Sequence, residues 1–178
     1  MNERQELEFH LLPTLATIIT PPVQAALCSI LSKFCEIANW DYGEVWMPNQ
    51  SRTLLELIPV WYISPRIGSS PLVSWEQFRL CSQGFILSPG TGLPGRVWSS
   101  QQPEWINDIS AKSESYFLRH QISKAFGVKG GLGVPIFTPE GEIVAALVFF
   151  ISEVRSIDSQ VIELAQNTAA ELGALLRA

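Results

Sequence analysis

Three glycines, Gly90, Gly92 and Gly95, stand at the spacing G-x-G-x-x-G, with which a tight turn brings backbone against a pyrophosphate. That chemistry needs a strand before the turn, a long helix after it and an acidic residue about 20 positions on. Here Pro94 and Pro103 confine any following helix to one or two turns, and no β-α-β repeat surrounds it. The glycines therefore read as backbone punctuation at angles other residues avoid, with Pro94 stiffening the turn. For nucleophilic or acid–base chemistry the chain offers two histidines and three cysteines. His10 lies in an N-terminal arm, which leaves His120 on the folded body, and no nucleophile, base and orienting group can be assembled around it. His120 has three readings: the wall of a pocket, a haem ligand, or a polar residue on a solvent-facing helix surface. Cys28 and Cys35 are seven apart on a predicted helix, about 10 Å of rise, beyond disulfide reach. They read as packing residues, and neither they nor Cys81 and the histidines show a spacing that zinc favours. No catalytic residue and no metal site are expected.

The elements that position these residues follow from periodicity. Residues 2–19 carry Leu7, Leu11, Leu15 and Ile18 at helical spacing broken by Pro13, a linker from an upstream domain or an N-terminal arm covering residues 1–20. Thr20 offers an N-cap and Pro21 a first helical residue, and Val23, Leu27, Ile30, Leu31, Phe34 and Ile37 recur at three and four over 21–38. Residues 42–47 and 54–62 read as strands joined by a turn-rich loop. A short helix is placed at Ser74-Trp75-Glu76-Gln77, which has the capping-box spacing. The apolar run 85–87 enters the glycine turn, a helical piece spans 96–99, and a second short apolar run surrounds Trp105 and Ile106. Residues 113–126 read as a helix stopped by Gly127, with Ser115 as cap. Residues 129–137 and 142–151 form a last hairpin, and a helix over 157–176 closes an α+β order.

Gly90-Thr91-Gly92-Leu93-Pro94-Gly95-Arg96-Val97-Trp98, then Pro103-Glu104-Trp105-Ile106-Asn107-Asp108, then Gly127-Val128-Lys129 through Gly133-Val134-Pro135-Ile136 and the strand ending at Phe150 carry a resemblance to GAF domains. These sensory modules occur in bacterial and cyanobacterial signalling proteins, phytochromes and phosphodiesterases. The resemblance covers roughly residues 21–178. It implies a GAF (PAS-like) fold: a six-stranded antiparallel sheet, with helices 21–38 and 157–176 on one face and segment 98–126 over a pocket on the other. It places any small ligand in that pocket, with Trp98, Trp105, Asp108, Tyr116, Phe117, His120 and Phe126 as candidate lining; for each aromatic the plain alternative is core packing.

Three branches of the family are similar but depart at decisive positions. The free methionine sulfoxide reductases read Gly-Val-Cys-Gly where this chain reads Gly92-Leu93-Pro94-Gly95, so the thiol is replaced by Pro94. The bilin-binding branch attaches its chromophore to a cysteine corresponding to the neighbourhood of Leu118-Arg119-His120, where this chain has none; covalent bilin is not expected, and no cofactor is named. The cyclic-nucleotide signature is completed neither at Asn107-Asp108 nor at Lys124-Ala125-Phe126.

Charge and composition bound the rest. At 47% hydrophobic and 16% charged the chain is ordinary for a soluble globular domain, and its longest apolar runs are strand length, so no membrane insertion is expected. A net charge of −5 with scattered basic residues gives no footprint for nucleic acid. The odd cysteine count and the absence of a cleavable leader at the start fit the cytoplasm. On the closing helix, at 100° per residue from Val161, the apolar positions fill a stripe about 160° wide, more than the roughly 100° one core requires. Val161, Leu164, Thr168, Ala170, Ala174 and Leu175 are therefore the expected interface of a parallel homodimer, with Ala170, Gly173 and Ala174 permitting close approach; the alternative is a helix seated deeply on its own sheet. The expected function is a non-catalytic sensory or regulatory module, taken from a protein such as a sensor histidine kinase or a cyclase, that binds a small molecule or relays a signal to an output domain. The alternatives are a dimerisation spacer without ligand and, more remotely, a reductase-like redox enzyme.

Overall fold

A computed structural model describes residues 19–176. The expectations for residues 1–18, His10 among them, lie outside the described residues. Helix α1 (Pro21–Ala38) starts at Pro21, whose fixed φ suits a first helical position, although Thr20 makes no side-chain cap. It stops at Asn39, which takes the left-handed conformation at φ 57° and returns its N–H to the Cys35 carbonyl. Strands β1 (Tyr42–Pro48) and β2 (Leu55–Ile63) form the first hairpin. Its turn is held by the Asn49 side chain, whose Oδ1 accepts from the N–H groups of Thr53 (3.0 Å) and Leu54 (3.1 Å). Then come α2 (Ser69–Ser82), β3 (Ile86–Leu87), α3 (Gly92–Ser100), β4 (Glu104–Ile106), a 3-10 turn (Ile109–Ala111), α4 (His120–Phe126), β5 (Gly130–Phe137), β6 (Ile143–Ile151) and α5 (Ser159–Leu175). The six strands make one sheet in the order β3-β2-β1-β6-β5-β4, every neighbouring pair antiparallel. This is the expected α+β, six-stranded architecture.

The two-residue period of the strands sorts their side chains into two cores. Val45, Ile58, Val60, Leu132, Val134, Leu147 and Phe149 face α1 and α5 and meet Leu27, Leu31, Phe34 and Leu172. Phe34 stacks on Phe149 with ring centroids 3.9 Å apart. Each such side chain, fully buried, contributes roughly 1.5–3 kcal/mol. The opposite face, with Tyr42, Trp46, Leu55, Ala146, Val148 and Phe150, is covered by α2, α3 and the segment running into α4.

Three helices differ from expectation. Helix α3 spans Gly92–Ser100 and so takes in the second half of the glycine turn, where only 96–99 was expected. Helix α2 begins at Ser69, not at the Ser74 capping box; Pro71 falls in its first turn, where a missing N–H costs nothing, and Ser74 lies inside the helix. Helix α4 begins at His120, not near Ser113. The Ser113 carbonyl accepts from the N–H groups of Tyr116 and Phe117, and the Ser113 hydroxyl also accepts from Tyr116 N–H. Such local bonds from serine compete with helix and give a compact turn over 113–119.

The glycine turn divides its labour. Gly90 (φ 81°) and Gly92 (φ 65°) take left-handed conformations, whereas Gly95 is helical and needed for space, because a Cβ there would lie 2.5 Å from the Ser88 carbonyl oxygen. Helix α5 is capped by Asp158, whose carboxylate accepts from Gln160 N–H. Its expected dimer residues separate. Thr168 is buried, with its hydroxyl donating to the Leu164 carbonyl at 2.8 Å, so it faces its own sheet and is a correction to the predicted interface. Gly173 is likewise used within the domain, since a Cβ would overlap the Phe137 carbonyl of β5. Val161 and Leu164 are half-buried against the first core, and Ala170, Ala174 and Leu175 are exposed.

Candidate functional site

The face where a ligand was expected is built from alternate residues of β1 and β6 and closed by three helices. Tyr42, Glu44 and Trp46 of β1 and Ala146, Val148 and Phe150 of β6 point into it. From β5 come two glycines: a Cβ on Gly133 would lie 2.7 Å from Val97 Cγ2, and one on Gly131 would meet Phe150 and Leu93. Their bareness lets α3 settle directly on the sheet. Helix α2 adds Trp75, stacked on Tyr42 at 5.2 Å with the planes 4° apart, and Phe78, edge-on to Tyr42 at 5.7 Å and to Phe150 at 5.4 Å. Phe117 meets Phe150 edge-on at 5.9 Å.

At the centre of these rings lies an ion pair. Arg119, the residue before α4, brings Nη2 to 2.6 Å from Glu44 Oε1 and Nη1 to 3.1 Å from Oε2. Trp46 Nε1 donates to the same carboxylate at 2.7 Å, and Arg119 Nη1 also donates to Ser82 Oγ at 3.1 Å. The guanidinium lies 5.0–5.7 Å from the Phe150, Trp46, Phe78 and Phe117 ring centroids. Both charges are buried, Glu44 at 0% and Arg119 at 2% exposure. One side chain thus ties the lid to β1 and to the end of α2. Burial, and next the charge of Glu44, push the Tyr42 phenol well above its ordinary pKa, with Arg119 opposing. A second pair closes the margin: Arg96 holds Glu104 through Nε (3.0 Å) and Nη2 (2.7 Å), and the Tyr116 hydroxyl donates to Glu104 at 2.8 Å. Among the described residues no group of three or more His, Cys, Asp or Glu side chains could hold a metal ion.

Residues 21–177 match the family described as GAF domain. The chain belongs to the GAF domain family. Protein NLP7 of Arabidopsis thaliana is 28% identical to it over 117 residues, 61% of this chain and 12% of that protein, so the chain spans about an eighth of this relative's length. The GAF domain of a phosphoenolpyruvate-protein phosphotransferase from Coxiella burnetii has a TM-score of 0.64 at 21% identity, covering 87% of this chain and 82% of that one. GAF3 of Slr1393 from Synechocystis sp. PCC6803, in its photoproduct state, has a TM-score of 0.61 at 14% identity, covering 86% and 92%. These likenesses show the fold.

Within this GAF domain four of the seven predicted lining residues, Trp98, Tyr116, Phe117 and Phe126, share the lid core, and Trp105, Asp108 and His120 lie outside it. Phe117 is buried in the lid core, and Trp98 and Phe126 pack half-buried at its edge. Tyr116 sits in the margin with Arg96 and Glu104. His120 is half-buried, its Nδ1 without a partner among the described residues. Asp108 caps the 3-10 turn by accepting from Ser110 N–H at 2.9 Å, and the bond from the Ser110 hydroxyl, with the N–H adding to it, holds its carboxyl below the usual range. Trp105 is a correction: β4 pairs Trp105 with Leu132, which puts its ring on the α1 and α5 face, edge-on to Trp40 at 5.3 Å. The strand's alternation sends Ile106, not Trp105, into the lid core. Sequence reasoning missed Glu44 and Arg119. The signal was there for Glu44, a lone charge at the same strand parity as Tyr42 and Trp46, but nothing local pointed to its partner 75 positions away.

Proposed function

We propose that this GAF domain is a non-catalytic regulatory module of a signalling protein, and that its lidded face is filled by its own side chains and relays strain in place of holding a small molecule. The observation that supports this is the complete burial of that face. Trp46, Phe78, Leu93, Val97, Val148 and Phe150 are at 0% exposure, so no water-sized space touches them, whereas a drug-sized ligand needs a cavity of about 300 Å³ or more. The centre that a ligand would occupy holds the Arg119–Glu44 pair, with every oxygen of the carboxylate already accepting.

A route outward runs through Arg155. Trp105 Nε1 donates to its carbonyl at 2.9 Å, its N–H donates to the Asn107 carbonyl, and its guanidinium donates to the carbonyls of Ala38 and Asn39 at the end of α1. Lid-side β4, the end of α1 and the approach to α5 thus move together. On this reading the exposed side of α5, with Ala170, Ala174 and Leu175, pairs with a second copy, the output domain lies outside this chain, and the protein works in the cytoplasm. Among the described residues no helix is long and apolar enough to cross a membrane.

Native mass spectrometry of the purified domain tests it. The expected species is twice the chain mass with nothing added, shifting to the single mass in Ala174→Glu. A tightly retained small molecule whose NMR contacts are to Phe117 or Phe150 overturns the filled-face reading, and a single-chain mass in the unaltered protein overturns the dimer.

A further inference from the structure

Where β4 runs out into the 3-10 turn, a cleft of about 360 Å³ opens toward the segment that leads into α5. Trp105, Asn107, Asp108, Ala111, Lys112 and Ile157 line it, at the sheet margin and apart from the filled centre of the lid face. We propose that this cleft binds the zwitterion of a small α-amino acid, its carboxylate on Lys112, its ammonium on Asp108 and an apolar side chain between Trp105 and Ile157. The volume lies within the range of small-ligand sites, which begins at about 300 Å³. Each lining group can be reached from solvent: Asn107, Ala111, Lys112 and Ile157 are exposed, and Trp105 and Asp108 are half-buried.

The two charges at the cleft are open to partners. The Lys112 ammonium lies 5.0 Å from the Tyr116 ring centroid and makes no ion pair among the described residues. Lys129, the other cation nearby, donates to the Ser110 hydroxyl at 3.3 Å. Asp108 is ionised at neutral pH, because the bond from the Ser110 hydroxyl lowers its pKa. Its Oδ1 accepts from the Ser110 N–H and hydroxyl, but a carboxylate offers about four acceptor sites, so room is left for an ammonium. One charge of each sign in a single small cleft is the complement of a molecule that carries both. A simple acid would meet Asp108 with like charge, and a simple amine would meet Lys112.

The apolar wall is an independent observation. Ile157 directly precedes Asp158, the N-cap of α5, and a hydrophobic residue there often folds back onto the fourth residue of the helix, here Ile162. Ile157 does not: it is 66% exposed and joins neither core, while Ile162 packs against the first. It is left as a wall of the cleft, and Trp105 in the same lining is fixed by its indole N–H on the Arg155 carbonyl and by its edge-on contact with Trp40. Arg155 joins the two sides, since its own N–H donates to the Asn107 carbonyl. An occupant thus clamps β4 to the lead-in of α5 on the route through Arg155. That coupling rests on the regulatory reading above, and the binding does not.

The test uses leucine, isocaproate, which is leucine without its ammonium, and isoamylamine, which is leucine without its carboxylate. Each is added at millimolar concentration to the whole chain and read by NMR at the Trp105 indole N–H and the Ala111 and Lys112 backbone amides. The cleft is open and its charges are screened by solvent, so binding is weak and an occupant is lost on purification. Leucine is expected to shift all three signals, and isocaproate and isoamylamine to bind about threefold or more weakly, since a solvent-exposed ion pair contributes up to about fivefold. Lys112→Gln and Asp108→Asn are each expected to weaken leucine by about the same threefold. Asp108→Asn keeps an oxygen for the Ser110 N–H and Lys112 is exposed, so both variants remain folded, which unmoved Phe117 and Phe150 signals report. No shift with leucine, equal affinity for the three compounds, or undiminished binding in both variants overturns the assignment. A leucine response at Phe117 and Phe150 with none at Trp105 overturns it together with the filled-face reading, whereas no response at any of these signals overturns the cleft assignment and leaves that reading in place.

Discussion

Arg119 is the residue on which the lid depends. Removing it leaves the Glu44 carboxylate buried without its cation, which costs about 3–5 kcal/mol, whereas replacing both partners by apolar groups is often neutral or better. Arg119→Ala is therefore expected to lower urea-unfolding stability by that amount, and Glu44→Leu with Arg119→Met to recover most of it. The recovery stays incomplete because Trp46 Nε1 then loses its acceptor, about 1–3 kcal/mol for a buried donor. A double mutant as unstable as Arg119→Ala would show that the pair does not act as a unit. Cys35 packs in the first core, where burial pushes its pKa up, and Cys81 is an exposed thiol.

At the scale of elements, the register of strands and the caps of helices decided what was legible. Helix α1 was readable to the residue, since Pro21 starts it and apolar spacing carries it to Ala38. The hairpins were readable because turn residues bound runs of β-branched and aromatic residues. The segment 113–119 was not, since its serines bond locally in a way that spacing does not reveal, and Arg119 is drawn inward by a carboxylate on a distant strand. Trp105 was assigned to the wrong face because a strand of three residues shows no period from which to read its parity. Helix α5 looked wide enough for two neighbours, but Thr168, counted in that width, and Gly173 beside it are pressed on its own sheet. Gly173→Ala tests that contact. Helix propensity favours alanine by about 1 kcal/mol, yet the overlap with the Phe137 carbonyl is expected to prevail and give a net loss of about 1–3 kcal/mol in thermal or urea unfolding. A net gain would mean that α5 does not sit so close to β5.

For the whole molecule, the three tyrosines set an alkaline limit. Burial first, and carboxylate neighbours after it, raise all three: Tyr42 well above the ordinary value, Tyr62 to about 12 beside Glu36, and Tyr116 beside Glu104. Above the unfolded pKa of about 10, the native state still holds protons that the unfolded chain has released. Stability is thus fully present below that pH and falls as pH rises through the folded values. Native protein at pH ~10.5 is expected to show less tyrosinate absorbance than the same chain in urea, with a lower urea midpoint than at pH ~8. Equal absorbance would contradict the burial of Tyr42.

The separation of Glu44 from Arg119 by 75 positions also bears on the order of folding. A sheet that formed first would have to keep its lid face wet, because the carboxylate cannot leave water before its cation arrives. The rings of Trp46 and Phe150 beside it are bound to the same delay. Closure of that face then waits on a long loop, the kind of contact that slows a chain, and it occurs in one step with Arg119 and not ring by ring. Until Arg119 seats, a sheet already assembled from all six strands would carry an acidic, aromatic, half-dry surface, and the arrival of that guanidinium makes it an interior.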